Sequence, residues 1–119
     1  MNIYRHEADV KKVVKGLLNA HKWAWWMPPG TAYGSAGISD FNAVQNGRFL
    51  AVETKFGYNK PSVLQLAYLR KIIDAGCWGF VVNDRNIDKF RLWMCHHTDG
   101  ASNLMLTKLA ADLLPDFGN

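Results

Sequence analysis

Two cysteines in 119 residues, Cys77 and Cys95, are too few and too far apart for a disulfide framework, and no C-x-x-C spacing marks a zinc ribbon. Reduced, intracellular thiols are the expectation. No apolar run reaches transmembrane length, because Lys, Asp or Gly interrupts the richest stretches, and nothing reads as a signal peptide. A soluble cytoplasmic protein with no membrane partner is therefore expected. Internal repeats and low-complexity tracts are missing too. The glycine-rich stretch Thr31 to Gly37 lacks the lysine and spacing of a phosphate-binding P-loop; its glycines suit close backbone approach. What remains is 49% hydrophobic, enough to bury one core in a single domain over residues 1–119. A net charge of +4 suits a polyanionic partner without requiring one.

The most sharply organised stretch is Ile38 to Lys55, ISDFNAVQNGRFLAVETK. Two β-forming runs, Ile38 to Gln45 and Arg48 to Lys55, flank Asn46-Gly47, a pair that suits a type I′ turn because both central residues need positive φ. A two-residue turn sets Gln45 opposite Arg48, and each step outward pairs the next residues until Asp40 faces Glu53. Side chains alternate, so Phe41, Ala43, Leu50 and Val52 line one apolar face, while Lys55 shares the face of Glu53. Facing Cβ atoms lie roughly 5 Å apart. Two carboxylates at that separation repel by roughly 3 kcal/mol at an effective dielectric near 20. Either Lys55 alone offsets this, or a hard divalent cation does, since Mg²⁺ binds through one or two carboxylates and takes other oxygens from water and phosphate.

Residues Ile3 to His21 have helical period, and Ile3, Glu7, Val10, Val14 and Leu17 form one face, with Arg5, Lys11, Lys12 and Lys15 supplying charge elsewhere. A glutamate on that stripe must be paired, ligated or near an edge, or else sits wet in the first turn, favoured by the helix dipole. Trp23 to Met27 reads as a short strand ended by Pro28-Pro29-Gly30; its three tryptophans suit a core, or bases to stack on. A helix is expected from about Pro61, a good first helical residue, to just before Gly76, with Leu66, Leu69 and Ile73 as its stripe, widened by Leu64, Tyr68, Ile72 and Ala75. Gln65 opens it. Cys77 to Val82 is a continuous apolar run, consistent with a buried parallel strand reached by a crossover. Over Asp84 to His97, Ile87, Phe90 and Met94 favour a helix capped by Asn86, while Phe90, Leu92 and Met94 would also alternate as a strand; His96 to Gly100 reads as a loop and Leu104 to Leu114 as a last helix ended by Pro115. Cys95, His96 and His97 are adjacent, and adjacent residues do not readily fill one tetrahedral zinc shell.

With Glu7, Asp40, Glu53-Thr54-Lys55 and Gln65 in place, the sequence resembles the VRR-NUC (virus-type replication-repair nuclease) family of the PD-(D/E)xK nuclease superfamily. The matching pieces are G-I-S-D at 37 to 40, E-T-K at 53 to 55, and Gln65 on its helix before the A-G turn at 75 to 76. Ser39 stands where family members often have proline, which bears on how the strand begins more than on ligand chemistry. The resemblance implies a restriction-endonuclease-like α/β core: a central mixed sheet with an antiparallel hairpin and a βαβ crossover, flanked by helices. It implies that Asp40 and Glu53 ligate Mg²⁺ or Mn²⁺, with the Thr54 backbone carbonyl as a ligand and Glu7 completing the shell directly or through water, Lys55 orienting or helping to deprotonate the attacking water and Gln65 positioning Lys55 or a water. It further implies branched, flap or junction DNA as substrate and a homodimer. A metal-dependent DNA nuclease is the leading expectation, beside a catalytically silent nucleic-acid-binding module and a plain scaffold in which Lys55 neutralises the acids.

Overall fold

The computed structural model describes residues 3–29 and 37–118 of the chain. Its elements run α1 (Glu7–Ala20), β1 (Ala24–Trp26), β2 (Phe41–Gln45), β3 (Arg48–Thr54), α2 (Val63–Asp74), β4 (Trp78–Val82), α3 (Ile87–Thr98) and α4 (Asn103–Leu109). Four strands form one open mixed sheet in the order β1-β2-β3-β4, antiparallel except for the parallel β3–β4 pair that α2 connects. The protein is thus α/β, with helices flanking the sheet. Among the described residues, no helix is long and apolar enough to cross a membrane.

The hairpin has the expected register. Asn46 and Gly47 take φ of 50° and 75°, as a type I′ turn demands, and the ladder runs from Gln45 opposite Arg48 to Phe41 opposite Val52. Phe41, Ala43, Leu50 and Val52 are fully buried. They join Phe80 and Val82 of β4 in a core closed by Val10, Val14 and Leu18 of α1, Phe90, Trp93 and Met94 of α3, and Leu106 of α4. Trp23 belongs to this core, and Trp25 packs against it edge-on to Phe41; Trp26 is half exposed. The opposite face, reached by the alternate residues, receives α2 through Leu69. Gly79 allows that contact: a Cβ there would stand 3.2 Å from Ile73 Cγ1 and 3.3 Å from the Leu69 carbonyl.

Several boundaries differ from expectation, each for a local reason. α1 starts at Glu7, not Ile3, because Asp9 accepts hydrogen bonds from the Arg5 and His6 N–H groups (2.8 and 2.9 Å), closing the helix start; Ile3 lies outside and exposed. α2 starts after Ser62, leaving Pro61 one residue before the cap. Ser62 Oγ accepts from the Gln65 N–H while Gln65 Oε1 accepts from the Ser62 N–H, a complete capping box. Leu64, in that first turn, and Ala75, at the C-cap, are exposed and add nothing to the stripe. The helix ends as expected, with Gly76 at φ 88° and the Gly76 and Cys77 N–H groups returning to Ile73 and Ile72.

α3 absorbs His96 to Thr98, expected as loop, because His97 stacks against Trp93 and lies 4.9 Å from Trp23; Asp99 and Gly100 make the turn instead. α4 stops at Leu109, short of Leu114. The chain leaves the helix so that Leu113 is buried and its carbonyl accepts the Val81 N–H, covering the exposed edge of β4. Asn86 precedes α3, but its side chain bridges Asn83, Val81 and Asp112 rather than capping the helix. Most of the glycine-rich loop over Thr31 to Gly37 lies outside the described residues. Gly37 is within them and has the expected close approach: at φ 82°, an added Cβ would stand 2.8 Å from the Leu64 carbonyl at the start of α2.

Two substitutions test this local bookkeeping. Lys22 ends α1 at φ 64°, a conformation that costs an L-residue about 1–2 kcal/mol. Lys22→Gly is expected to stabilise the protein by about 0.5–1 kcal/mol in urea denaturation. Gly37→Ala meets both strain and backbone, and is expected to destabilise by about 2 kcal/mol or more; a neutral result would show that Gly37 does not press on α2.

Candidate active site

Asp40 lies one residue before β2, at a bend rather than in the strand expected from Ile38. The bend comes from Ser39, fully buried, whose hydroxyl donates to the Phe41 carbonyl (3.1 Å) and to Asn42 Oδ1 (3.0 Å), while Asn42 Nδ2 donates back to the Ser39 carbonyl. These local bonds compete with strand pairing and turn the backbone just before the ladder starts. Tyr68 of α2 donates to the same Asn42 Oδ1 at 2.8 Å, so β2 and α2 are tied at this point. The ladder ends at the Phe41–Val52 pair, and Asp40 follows just beyond it, with its carboxyl hydrogen-bonded to that of Glu53. Its Oδ2 accepts the Thr54 N–H (2.9 Å) and the Thr54 hydroxyl (2.6 Å). Thr54, expected only as a carbonyl donor, therefore also grips Asp40 through its N–H and side chain.

Glu53 is 1% exposed. Burial pushes its pKa up from 4.5 to about 9, reinforced by a hydrogen bond to Asp40 and by Asp40's negative charge, with Lys55 drawing it back only in part. Burial also works against the charge on Asp40, but the hydrogen bonds from Glu53 and Thr54 and the nearby Lys11 ammonium prevail and hold it below its ordinary value. The opposite shifts place the pair's one proton on Glu53, the more buried of the two acids. Glu53 Oε2 is buried with no hydrogen-bond partner.

Lys11 is the site residue that sequence reading misplaced. Its ammonium lies 3.0 Å from Glu7 Oε2 and 3.8 Å from Asp40 Oδ1. Burial disfavours its charge, yet Glu7, Asp40 and Glu53 outweigh that and raise its pKa. The pattern was visible as a Glu7–Lys11 pair one turn apart; what was not visible was that this turn would stand over Asp40. Glu7 does not point into the core. It occupies the first turn of α1, its side chain 36% exposed, and reaches Asp40 only through Lys11. Among the described residues, Glu7 accordingly does not converge with Asp40 and Glu53 into a three-carboxylate group.

Lys55 follows Glu53 on the same face, half-buried, with its N–H bonded to the Val82 carbonyl at 2.9 Å. It forms no ion pair among the described residues, so its ammonium is uncommitted beside the acid pair. Gln65 spends its side-chain oxygen on the Ser62 cap and makes no hydrogen bond to Lys55 among the described residues. Cys95, His96 and His97 lie in the last turn of α3, where the His97 ring packs on tryptophans.

The donor set suits a hard divalent cation. Of the two opposed carboxylates, Glu53 both retains a proton because it is buried and presents an orphaned oxygen; a divalent ion would displace the first and satisfy the second. Asp40 and Glu53 would hold it. Neither a protein-family model nor a curated protein matches the chain in sequence.

The shared proton has a measurable consequence. Native Glu53 keeps a proton between about pH 4.5 and 9 that the unfolded chain releases, so without divalent metal it makes stability fall as pH rises through that window, by up to about 1.4 kcal/mol per pH unit. Asp40 has the opposite sign: its contribution is lost only as pH falls through the range below 3.8. Urea denaturation of wild type and Glu53→Gln from pH 5 to 9 is expected to give diverging curves, the variant gaining relative stability as pH rises. Parallel curves would exclude the shared proton.

Proposed function

We propose that this chain is a metal-dependent DNA nuclease with a PD-(D/E)xK core of the VRR-NUC kind, hydrolysing phosphodiester bonds as an endonuclease on branched, flap or junction DNA. The observation that carries this reading is the hydrogen-bonded Asp40–Glu53 pair at the end of the hairpin, with Glu53 buried and Lys55 in no salt bridge among the described residues. A bound Mg²⁺ or Mn²⁺ would supply Lewis-acid stabilisation of charge on the phosphate oxygens. The chain's own residues do the rest. Thr54 holds Asp40 Oδ2, which leaves Oδ1, toward Lys11, as the oxygen a metal would take. The Lys55 ammonium, on the face of Glu53, orients the attacking water and stabilises negative charge developing on the phosphorane oxygens. Lys11 screens Asp40 from Glu7 and presents further positive charge to the incoming phosphate. Cutting both strands at one place would take two copies of the chain.

Lys11 also favours a second reading. A lysine already placed at Asp40 neutralises part of the acid pair without any metal, as a catalytically silent DNA-binding module would need. The two readings part on metal and turnover. Labelled duplex, flap and four-way DNA incubated with Mn²⁺ or Mg²⁺ is expected to be cleaved by the wild type, with kcat/KM lowered at least about 100-fold in Lys55→Ala and in Asp40→Ala. Mn²⁺ is also expected to raise the melting temperature of the wild type more at pH 8 than at pH 5, because it competes with the shared proton. Equal cleavage by all three proteins would reject the mechanism. Salt-sensitive DNA binding without metal-dependent cleavage would select the silent module.

A further inference from the structure

Beyond Lys55 the chain enters a rigid loop that borders a cleft of about 450 Å³, lined by Tyr58, Lys60, Leu66, Arg85, Asp116 and Phe117 among others. The loop is fixed from both sides: the Gly57 N–H donates to Asp84 Oδ1 at 2.8 Å, and Arg85 Nε donates to the Gly57 carbonyl at 3.2 Å. The Arg85 guanidinium also lies 4.4 Å from the centre of the Tyr58 ring. Tyr58 is nonetheless 82% exposed. One ring face is thus backed by a cation and the remaining surface is open to solvent. Phe117, on the same cleft, is backed in the same way by Arg70 at 4.1 Å.

An exposed aromatic ring backed by a guanidinium, with a second, half-buried ring on the same cleft, makes a stacking platform for flat π systems. The charge layout narrows the choice. Lys60 and Arg85 favour an anion, whereas Asp112 and Asp116 oppose a bare polyanion; Asp112 is paired with Lys89, and Asp116 Oδ1 accepts the Gly118 N–H. A ligand that carries a flat ring with its own N–H donors, joined to a phosphate, satisfies both signs at once. Position narrows it further. Tyr58 is three residues from Lys55, hence within about 11 Å along the chain, which is about three base steps of a strand rising 3.4 Å per nucleotide.

We infer that the Tyr58–Arg85 cleft is a nucleobase subsite, taking one unpaired base of the DNA strand within a few nucleotides of the phosphate held at Asp40 and Glu53. The inference rests on the nuclease reading for the path of the strand, though not for the stacking itself. Its weight falls on Tyr58, whose exposure means that truncation leaves the core intact.

Single-stranded DNA oligonucleotides carrying 2-aminopurine at successive positions test it. Titrated into the full chain without divalent metal, where no cleavage takes place, they report stacking by fluorescence quenching. Quenching is expected with wild type and is retained in Tyr58→Phe. Base stacking on an aromatic contributes about 1–3 kcal/mol, so affinity is expected to fall about 5- to 150-fold in Tyr58→Ala, and to fall in Arg85→Ala also. No quenching in the wild type, or equal affinity in Tyr58→Ala, overturns the subsite. With Mn²⁺ present, an abasic residue at the quenched position is expected to raise KM for the wild type and to add nothing in Tyr58→Ala; additive losses would overturn it as well. Quenching without cleavage would reject the nuclease reading and keep the base subsite, and cleavage without quenching would do the reverse.

Discussion

The register of β2 against β3 sets the distance between two carboxylates, and the surrounding chemistry is a response to that distance. Because Asn46 and Gly47 close a two-residue turn, Asp40 must face Glu53. Burial of Glu53 then makes two full negative charges untenable, and the structure relieves the conflict in three ways. A proton stays on Glu53, Thr54 donates twice to Asp40, and the Lys11 ammonium stands 3.8 Å from the remaining Asp40 oxygen. The site still offers a ligand a proton that can be displaced, an orphaned Glu53 oxygen, and the Lys55 ammonium, which forms no salt bridge among the described residues.

The scaffold serves this end of the sheet from two directions. β3 and β4 run parallel, so Thr54 and Val82 finish side by side, and the crevice beyond the carboxyl ends of such strands is where open α/β sheets bind ligands. The loop after β3, carrying Tyr58, and the turn after β4, carrying Asp84 and Arg85, are then necessarily neighbours, and their mutual hydrogen bonds shape the cleft. On the β2 side, α2 presses on Gly37 through the Leu64 carbonyl and on Asn42 through Tyr68. The bend that aims Asp40 is therefore held by a helix whose own start is closed by Ser62 and Gln65. Gln65 supports the site as a cap at the start of that helix, a more modest part than direct contact with Lys55 would be.

Much of this was legible in the chain itself, wherever the controlling interaction is local. Asn-Gly dictates its turn and thereby the register. Alternation dictates which hairpin side chains face the main core, although the other face is buried as well over Leu50 to Thr54, and the apolar run to Val82 dictates a covered strand. The misjudged starts share one cause, side chains a few residues away that outbid the periodic pattern, whereas the ends of α3 and α4 were moved by contacts with Trp23 and with Val81. Asp9 halted α1 above Ile3, Ser62 and Gln65 moved the start of α2 past Pro61, and Ser39 with Asn42 bent the chain at Asp40.

Other features depended on which elements came to lie together, and no local pattern encodes that. Lys11 looks like one of several surface lysines until α1 crosses the end of the hairpin. Tyr58 and Arg85, 27 positions apart, meet only because β4 returns parallel to β3. Sequence alone determined the hairpin, its register and the opposition of Asp40 and Glu53, because turn geometry and strand alternation act over a few residues. Tertiary structure alone decided the burial that keeps a proton on Glu53, the cation that answers Asp40, and the aromatic cleft beside them, because desolvation and charge pairing act between segments that only folding brings into contact.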